Sequence, residues 1–219
     1  DGPYGDFGSR KYLLASLDQS LKRMGLPYVD IFYHHRMDAD TPLEETMGAL
    51  EQAVRSGKAL YVGLSNYNGE TLEKATAILN ALHVPFVINQ NRYSIFDRTI
   101  EHNGLLETTQ RLHKGLITFS PLAQGMLTDR YSRIRTDGRF LKEAAVVEKL
   151  PKIKALNELA AQRGQTLAEM SLAWLLNHEA VTSVLIGASK PSQILDNIKA
   201  AENTSFTAEE LAKIEEISV

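Results

Sequence analysis

Five short, continuous apolar runs recur along this chain with helical patterns between them, and that rhythm leaves few folds open. The runs are Asp30–His35, Leu60–Asn66, Phe86–Asn91, Leu116–Leu122 and Thr182–Ala188. Each is rich in β-branched, aromatic or aliphatic residues without strict alternation. Buried parallel strands have this signature, because both faces of the sheet are covered. Ser9 is placed to cap a helix ahead of the first run. Thr41-Pro42-Leu43-Glu44 has the form of a capping box with proline at the first helical position, opening a helix that runs to about Ser56 and stops at Gly57. Further helices are expected over Glu70–Leu82, Lys152–Arg163, Leu167–Asn177, Ser192–Ala201 and Thr207–Ile217. Strand and helix thus alternate roughly every thirty residues, the βαβ rhythm of a parallel sheet. The interval between the fourth and fifth runs is about twice as long. It holds Ala123–Glu143, which reads as a long loop, and then helices; long loops inside compact domains are usually functional or disordered.

Composition removes several classes of function. The chain has 219 residues and is 43% apolar, enough for one sizeable core, and its net charge of −3 gives no bulk attraction to nucleic acid or an anionic membrane. It has no cysteine, hence no disulfide and no thiolate metal site. His83, His102, His113 and His178 show no ligand spacing, and no metal is expected. No apolar run approaches the ~20 residues of a membrane span, and a cytoplasmic address is expected. No GxGxxG or GxxxxGK[ST] follows a strand, so neither a Rossmann unit nor a P-loop is supported.

The strand ends carry polar or glycine residues: His34 and His35, Ser65 and Asn66, Gln90 and Asn91, Ser120, then Gly187 and Ser189. In a (β/α)8 barrel, active sites lie at the C-terminal ends of the strands. Five such endings suit a pocket for a polar ligand. None of the five ends in Lys or Glu, which disfavours an aldolase or a phosphate-sugar isomerase.

Five segments carry a more specific resemblance. Val29-Asp30-Ile31-Phe32-Tyr33-His34-His35-Arg36, Gly57-Lys58 through Gly63-Leu64-Ser65-Asn66, and Gln90-Asn91-Arg92-Tyr93-Ser94-Ile95-Phe96-Asp97-Arg98 come first. Phe119-Ser120-Pro121-Leu122-Ala123-Gln124-Gly125-Met126-Leu127-Thr128 and Val184-Leu185-Ile186-Gly187-Ala188-Ser189 through Asn197 follow. Together and in this order they resemble the aldo-keto reductases, in the branch of bacterial glyceraldehyde-phosphate reductases and potassium-channel β subunits. The resemblance implies a (β/α)8 barrel as a single domain, with strands four to eight in this chain. It implies reduction of a small aldehyde or ketone by hydride from NADP(H).

Of the family's tetrad of Asp, Tyr, Lys and His, the resemblance carries over only the histidine, onto His35. The other three belong to the first strands of the barrel, and about a hundred further N-terminal residues are expected in the natural protein. The sequence as given is expected to lack reductase activity alone. For the cofactor, the resemblance assigns Ser65, Asn66 and Gln90 to the nicotinamide carboxamide and Phe119 to stacking on the ring. Ser120, Pro121, Leu122, Gln124, Gly125 and Arg130 fall to the pyrophosphate. Gly187, Ser189, Lys190, Gln193, Asp196 and Asn197 fall to the adenosine end, with Lys190 favouring the 2′-phosphate of NADP. Asp129-Arg130 departs from the family's Gly-Lys at that point, and the loop past Tyr131 is shorter. The long loop is expected to order around the cofactor. A regulatory subunit of the same fold is the alternative, and His35 speaks against it, because channel subunits tend to carry Asn there. Self-association is left open.

Overall fold

A computed structural model describes residues 8–128 and 143–218. The glycine-rich start, Arg130 and most of the expected long loop lie outside the described residues. Two compact units make up the chain: Asp1–Asn91 with Ile100–Leu116, and Arg92–Thr99 with Ile117–Val219.

The first unit holds α1 (Arg10–Met24), β1 (Val29–His34), α2 (Leu43–Arg55), β2 (Ala59–Ser65), α3 (Gly69–Ala81), α5 (Leu105–Arg111) and all but the last residue of β3 (Phe86–Arg92). The short α4 (Thr99–His102) enters it after its first residue. Strand β2 lies between β1 and β3, all parallel. Tyr33 pairs with Gly63, and Ser65 with Gln90, after an irregularity at Val62/Gly63. Helix α1 starts as its sequence dictates. Ser9 Oγ accepts from the Tyr12 N–H at 3.3 Å, and Gly25 closes the helix in the left-handed conformation (φ 67°). Leu17 and Leu21 of α1 pack with Ala53 of α2 and Ala59 of β2.

The expected Thr41–Glu44 capping box does not form. Pro42 is itself the N-cap of α2 and has no side-chain bond to give. The Thr41 N–H goes instead to Asp38 Oδ1 at 2.8 Å, and the same oxygen takes the Asp40 N–H at 3.1 Å. An Asx turn ahead of the helix therefore wins over the box. The α3 cap does use a reciprocal box, Asn68 with Thr71.

Gly69, at the start of α3, lies against α5. A Cβ there would sit 2.5 Å from the Gly104 carbonyl oxygen, a backbone atom that cannot swing aside. Gly69→Ala is therefore expected to lower stability by about 1–3 kcal/mol, read as a lower urea midpoint with unchanged m-value. An unshifted midpoint would show that the α3–α5 approach is relaxed.

The second unit holds the end of β4 (Gly115–Phe119), β5 (Ser183–Val184), α6 (Glu143–Gln162), α7 (Leu167–Asn177), α8 (Pro191–Ile198) and α9 (Ala208–Ser218). Ile117 pairs with Ser183 and Thr118 with Val184, in parallel. Val146, Leu156, Leu159, Trp174 and Ile214 are buried in this unit. Arg163, at the end of α6, binds Glu210 of α9 at 2.5 Å and Ser205 O at 2.9 Å, with its guanidinium 3.7 Å above the Phe206 ring. Its side chain is only 4% exposed, so losing one partner would leave a buried charge uncompensated. His178 is structural, as expected: its Nε2 lies 3.1 Å from the Tyr93 hydroxyl, and its ring meets Trp174 edge-on.

Candidate active site

The ends of β1, β2 and β3 bring four of the expected residues together. Asn66 adopts the left-handed conformation (φ 61°), which asparagine tolerates better than most residues. Its side-chain Nδ2 donates to the His35 carbonyl at 2.8 Å and to Ser65 Oγ at 3.1 Å. Ser65 Oγ in turn donates to the Gln90 carbonyl at 2.8 Å. The Asn66 N–H is received by the Gln90 carbonyl at 3.0 Å and by Asn91 Oδ1 at 2.8 Å. One amide proton of Asn66 thus holds the His35 carbonyl and the other the Ser65 hydroxyl, and its Oδ1 is the atom able to accept from a ligand amide.

His35 follows directly on β1, exposed. Tyr33 lies two residues back, and alternation puts both on one face of the strand. The Tyr33 ring covers Gly63: a Cβ there would come within 2.5 Å of the ring. Glycine in Gly63-Leu64-Ser65-Asn66 is thereby explained, because any side chain would evict Tyr33. The Tyr33 phenol is held above its ordinary pKa chiefly by burial, with a hydrogen bond to the Gln90 side chain opposing. His34, between Tyr33 and His35 in sequence, belongs by alternation to the other face. It is buried, with Nδ1 2.9 Å from the Tyr67 hydroxyl.

In the second unit, Phe119 ends β4 half-buried, with the Arg92 guanidinium 5.9 Å from its ring centre. The chain then turns sharply. Ser120 (φ 53°), Ala123 (φ 47°), Gln124 (φ 59°) and Gly125 (φ 92°) all have positive φ. Turns bond Ala123 N–H to the Ser120 carbonyl at 3.0 Å and Gly125 N–H to the Leu122 carbonyl at 2.8 Å. Pro121 is buried beneath the turn. Such strained non-glycine backbone concentrates at functional sites.

The adenosine-end residues are largely on the surface. Gly187 is exposed, with open space where a Cβ would be, so no steric demand fixes glycine there. Gln193 Oε1 accepts from the Ser189 N–H at 2.7 Å and the Lys190 N–H at 3.2 Å, closing the start of α8. This leaves the Gln193 amide N–H2 and the Lys190 ammonium as donors at a helix N-terminus, a combination that suits an anion. Asp196 is paired with Lys199 at 3.0 Å, and Asn197 is half-buried beside it. The first unit therefore offers amide groups at its strand ends, and the second offers donors at a helix N-terminus.

Sequence reasoning missed Tyr33 and Asn91 as organisers. For Tyr33 the signal was its two-residue spacing from His35. For Asn91 it was the Gln-Asn doublet at a strand end. Among the described residues there is no group of side chains able to hold a metal ion, and no helix is long and apolar enough to cross a membrane.

Parallel strands joined through helices, with polar residues at the strand ends, define an α/β protein of the (β/α)8-barrel class. Comparison places it more closely: the Aldo/keto reductase family model matches residues 1–219, and the chain belongs to that family. It is 51% identical to the L-glyceraldehyde 3-phosphate reductase of Escherichia coli K12 over 98% of its length, and spans 65% of that relative. It is 35% identical to a probable voltage-gated potassium channel subunit beta of Oryza sativa subsp. japonica, over 99% of the chain and 70% of the relative. The thermostable aldo-keto reductase Tm1743, crystallised with the inhibitor epalrestat, superposes with a TM-score of 0.76 at 30% identity. That match covers 96% of this chain and 68% of the other. The barrel is thus incomplete in this sequence.

Proposed function

We propose that the full natural protein reduces small aldehydes or ketones to alcohols with NADPH. The observation that carries this reading is the strand-end network that ties Ser65, Asn66 and Gln90 to the backbone of His35. Family membership and the reductase relative support it. Carbonyl reduction needs a hydride at carbon, which the nicotinamide cofactor supplies, and polarisation at oxygen. His35 supplies a hydrogen bond to the carbonyl oxygen, stronger as negative charge develops there. Ser65, Asn66 and Gln90 hold the carboxamide. Phe119 packs on the ring. Ser120, Pro121, Leu122, Gln124, Gly125 and Arg130 surround the pyrophosphate, and Gly187, Ser189, Lys190, Gln193, Asp196 and Asn197 the adenosine end. Loss of NADPH absorbance with glyceraldehyde or methylglyoxal tests the reading. Nucleotide binding without turnover would favour the regulatory alternative.

NADP(H) should bind more tightly than NAD(H). One or two charge-assisted hydrogen bonds to the 2′-phosphate, at ~1.5–3 kcal/mol each, give a preference of about one to several orders of magnitude. Lys190→Glu should erase or invert it, measured as the ratio of dissociation constants. An unchanged ratio removes Lys190 from the site.

A further inference from the structure

Strand β3 carries three side-chain amides in a row, Asn89-Gln90-Asn91, after an apolar start. Alternation gives Gln90 one face of the strand and Asn89 and Asn91 the other. Gln90 has a place beside the carboxamide; Asn89 and Asn91 have none in the reaction above. Both are buried, 0% and 7% exposed. A buried amide costs free energy unless its groups are hydrogen-bonded, so the partners of Asn91 show what it is there to hold.

Those partners are consecutive backbone groups just past the end of β2. Asn91 Oδ1 accepts the Asn66 N–H at 2.8 Å, and Asn91 Nδ2 donates to the Tyr67 carbonyl at 2.9 Å. Asn89 Nδ2 donates to the same Oδ1 at 3.2 Å, so the oxygen end of the Asn91 amide faces two donors and the nitrogen end a carbonyl. The Gln90 carbonyl shares the Asn66 N–H at 3.0 Å; Asn91 adds a second point of attachment, at Tyr67. That second point is firmly based. Tyr67 is 1% exposed, and its hydroxyl lies 2.9 Å from His34 Nδ1. Between the two attachments stands Asn66 at φ 61°, a conformation that a non-glycine residue keeps only when its surroundings impose it. In that conformation its side chain reaches the His35 carbonyl and the Ser65 hydroxyl, and its Oδ1 is left for a ligand.

We infer that Asn91 is a positioning residue for the nicotinamide carboxamide: it keeps Asn66 in the left-handed conformation before the cofactor arrives, so that Asn66 Oδ1 meets the carboxamide amide without rearranging. The inference rests on the reductase reading and adds to it a residue that the resemblance does not assign to the cofactor. All the contacts it uses lie within the first unit. The acceptor half of Asn91 acts on Asn66 and the donor half on Tyr67, so substitution can separate them. Asn91→Leu, of similar size, removes both halves. Asn91→Asp keeps the acceptor toward Asn66 and loses the donor toward Tyr67.

The test uses the full natural protein. Both substitutions leave a buried backbone group unpaired, and both should lower the urea midpoint. Affinity for NADP+ should separate them. Its dissociation constant is expected to rise about tenfold in Asn91→Leu, because a conformation no longer held in advance must be adopted on binding. In Asn91→Asp it should stay within about threefold of the wild type. The fragment 2′-phospho-ADP-ribose, which lacks the nicotinamide, should bind all three proteins within about twofold. Affinity for NADP+ that followed the midpoint in both variants, an equal loss for 2′-phospho-ADP-ribose, or no change in Asn91→Leu would each overturn the positioning role. Hydrogen exchange at the Asn66 amide of the cofactor-free wild type needs no variant to fold. That amide should be protected by about 100-fold or more before NADP+ is added. Exchange at the rate of an open loop would overturn the inference. A wild type that protects this amide, yet binds no NADP+ and reduces no aldehyde, would overturn the reductase reading, and with it the carboxamide as the group that Asn66 receives.

Discussion

Replacing His35 by Ala in the full natural protein is expected to lower kcat by about 10²- to 10⁴-fold while leaving NADPH affinity nearly unchanged. The split follows from where the residue stands. Its backbone is fixed by the Asn66 amide at 2.8 Å, an interaction that the substitution keeps. Its ring is exposed. Removing the ring therefore takes away a donor to the carbonyl oxygen without loosening Ser65, Asn66 or Gln90. An interaction made mainly as charge develops on oxygen lowers kcat and kcat/KM together. Stopped-flow measurement of the chemical step and equilibrium titration of NADPH separate the two effects. If kcat and cofactor affinity fell by the same factor, the histidine would be supporting the nucleotide rather than polarising the carbonyl. His35→Gln, which keeps a donor of similar reach, should recover part of the rate.

The strands were legible because burial on both faces leaves no choice but apolar side chains. The expected runs start within a residue of the observed strands, and the polar ends of the first three are the residues that meet at Asn66. Thr182–Ala188 was legible only in place: two residues, Ser183 and Val184, form the ladder, and Leu185 and Ile186 stay exposed. Composition cannot report how far a partner strand extends. Helices α4 and α5 were not foreseen. They span four and seven residues, too few for periodicity to rise above the noise, and tertiary packing supports them. The helix expected from Lys152 begins instead at Glu143, with Pro151 inside it. Proline breaks a helix only by removing one bond and crowding one carbonyl, and that cost can be met by packing on either side. Here Val146 and Ile153 are buried on the two sides of it. At the site, the residue types were legible and their connections were not. Nothing in the sequence says that Asn66 reaches back to the His35 carbonyl, because that bond depends on strand register.

Acid should destabilise this chain through His34 before its carboxylates protonate. His34 is 2% exposed, with Nδ1 against the Tyr67 hydroxyl and Nε2 buried without a partner. Burial lowers its pKa from 6.5 to about 4; Asp38 draws it back up in part and His35 adds to the depression. The neutral ring is therefore the form that the fold accepts. Between pH 6.5 and 4 the unfolded chain binds a proton at this site and the folded chain does not. Stability is then fully present above pH 6.5, falls as pH drops through that window, and levels below about 4. A shift of this size corresponds to about 3 kcal/mol. Other groups titrate in the lower part of the window, so the clean measurement is a difference. Urea midpoints of the wild type and of His34→Asn, which keeps a polar atom near the Nδ1 position, are compared at pH 7.5, 5.5 and 4.5. The wild type should lose more stability than the variant between pH 7.5 and 4.5. Parallel loss in both would mean that the folded state admits the imidazolium, either by a shift of Asp38 toward Nε2 or by water reaching it. A Cβ on Gly8 would lie 3.2 Å from that nitrogen, 2.9 Å from Asp38 Oδ2 and 2.8 Å from Thr46 Oγ1, so the space beside the ring is already filled, and the Asp38 carboxylate that draws the pKa part of the way back stands at the same spot.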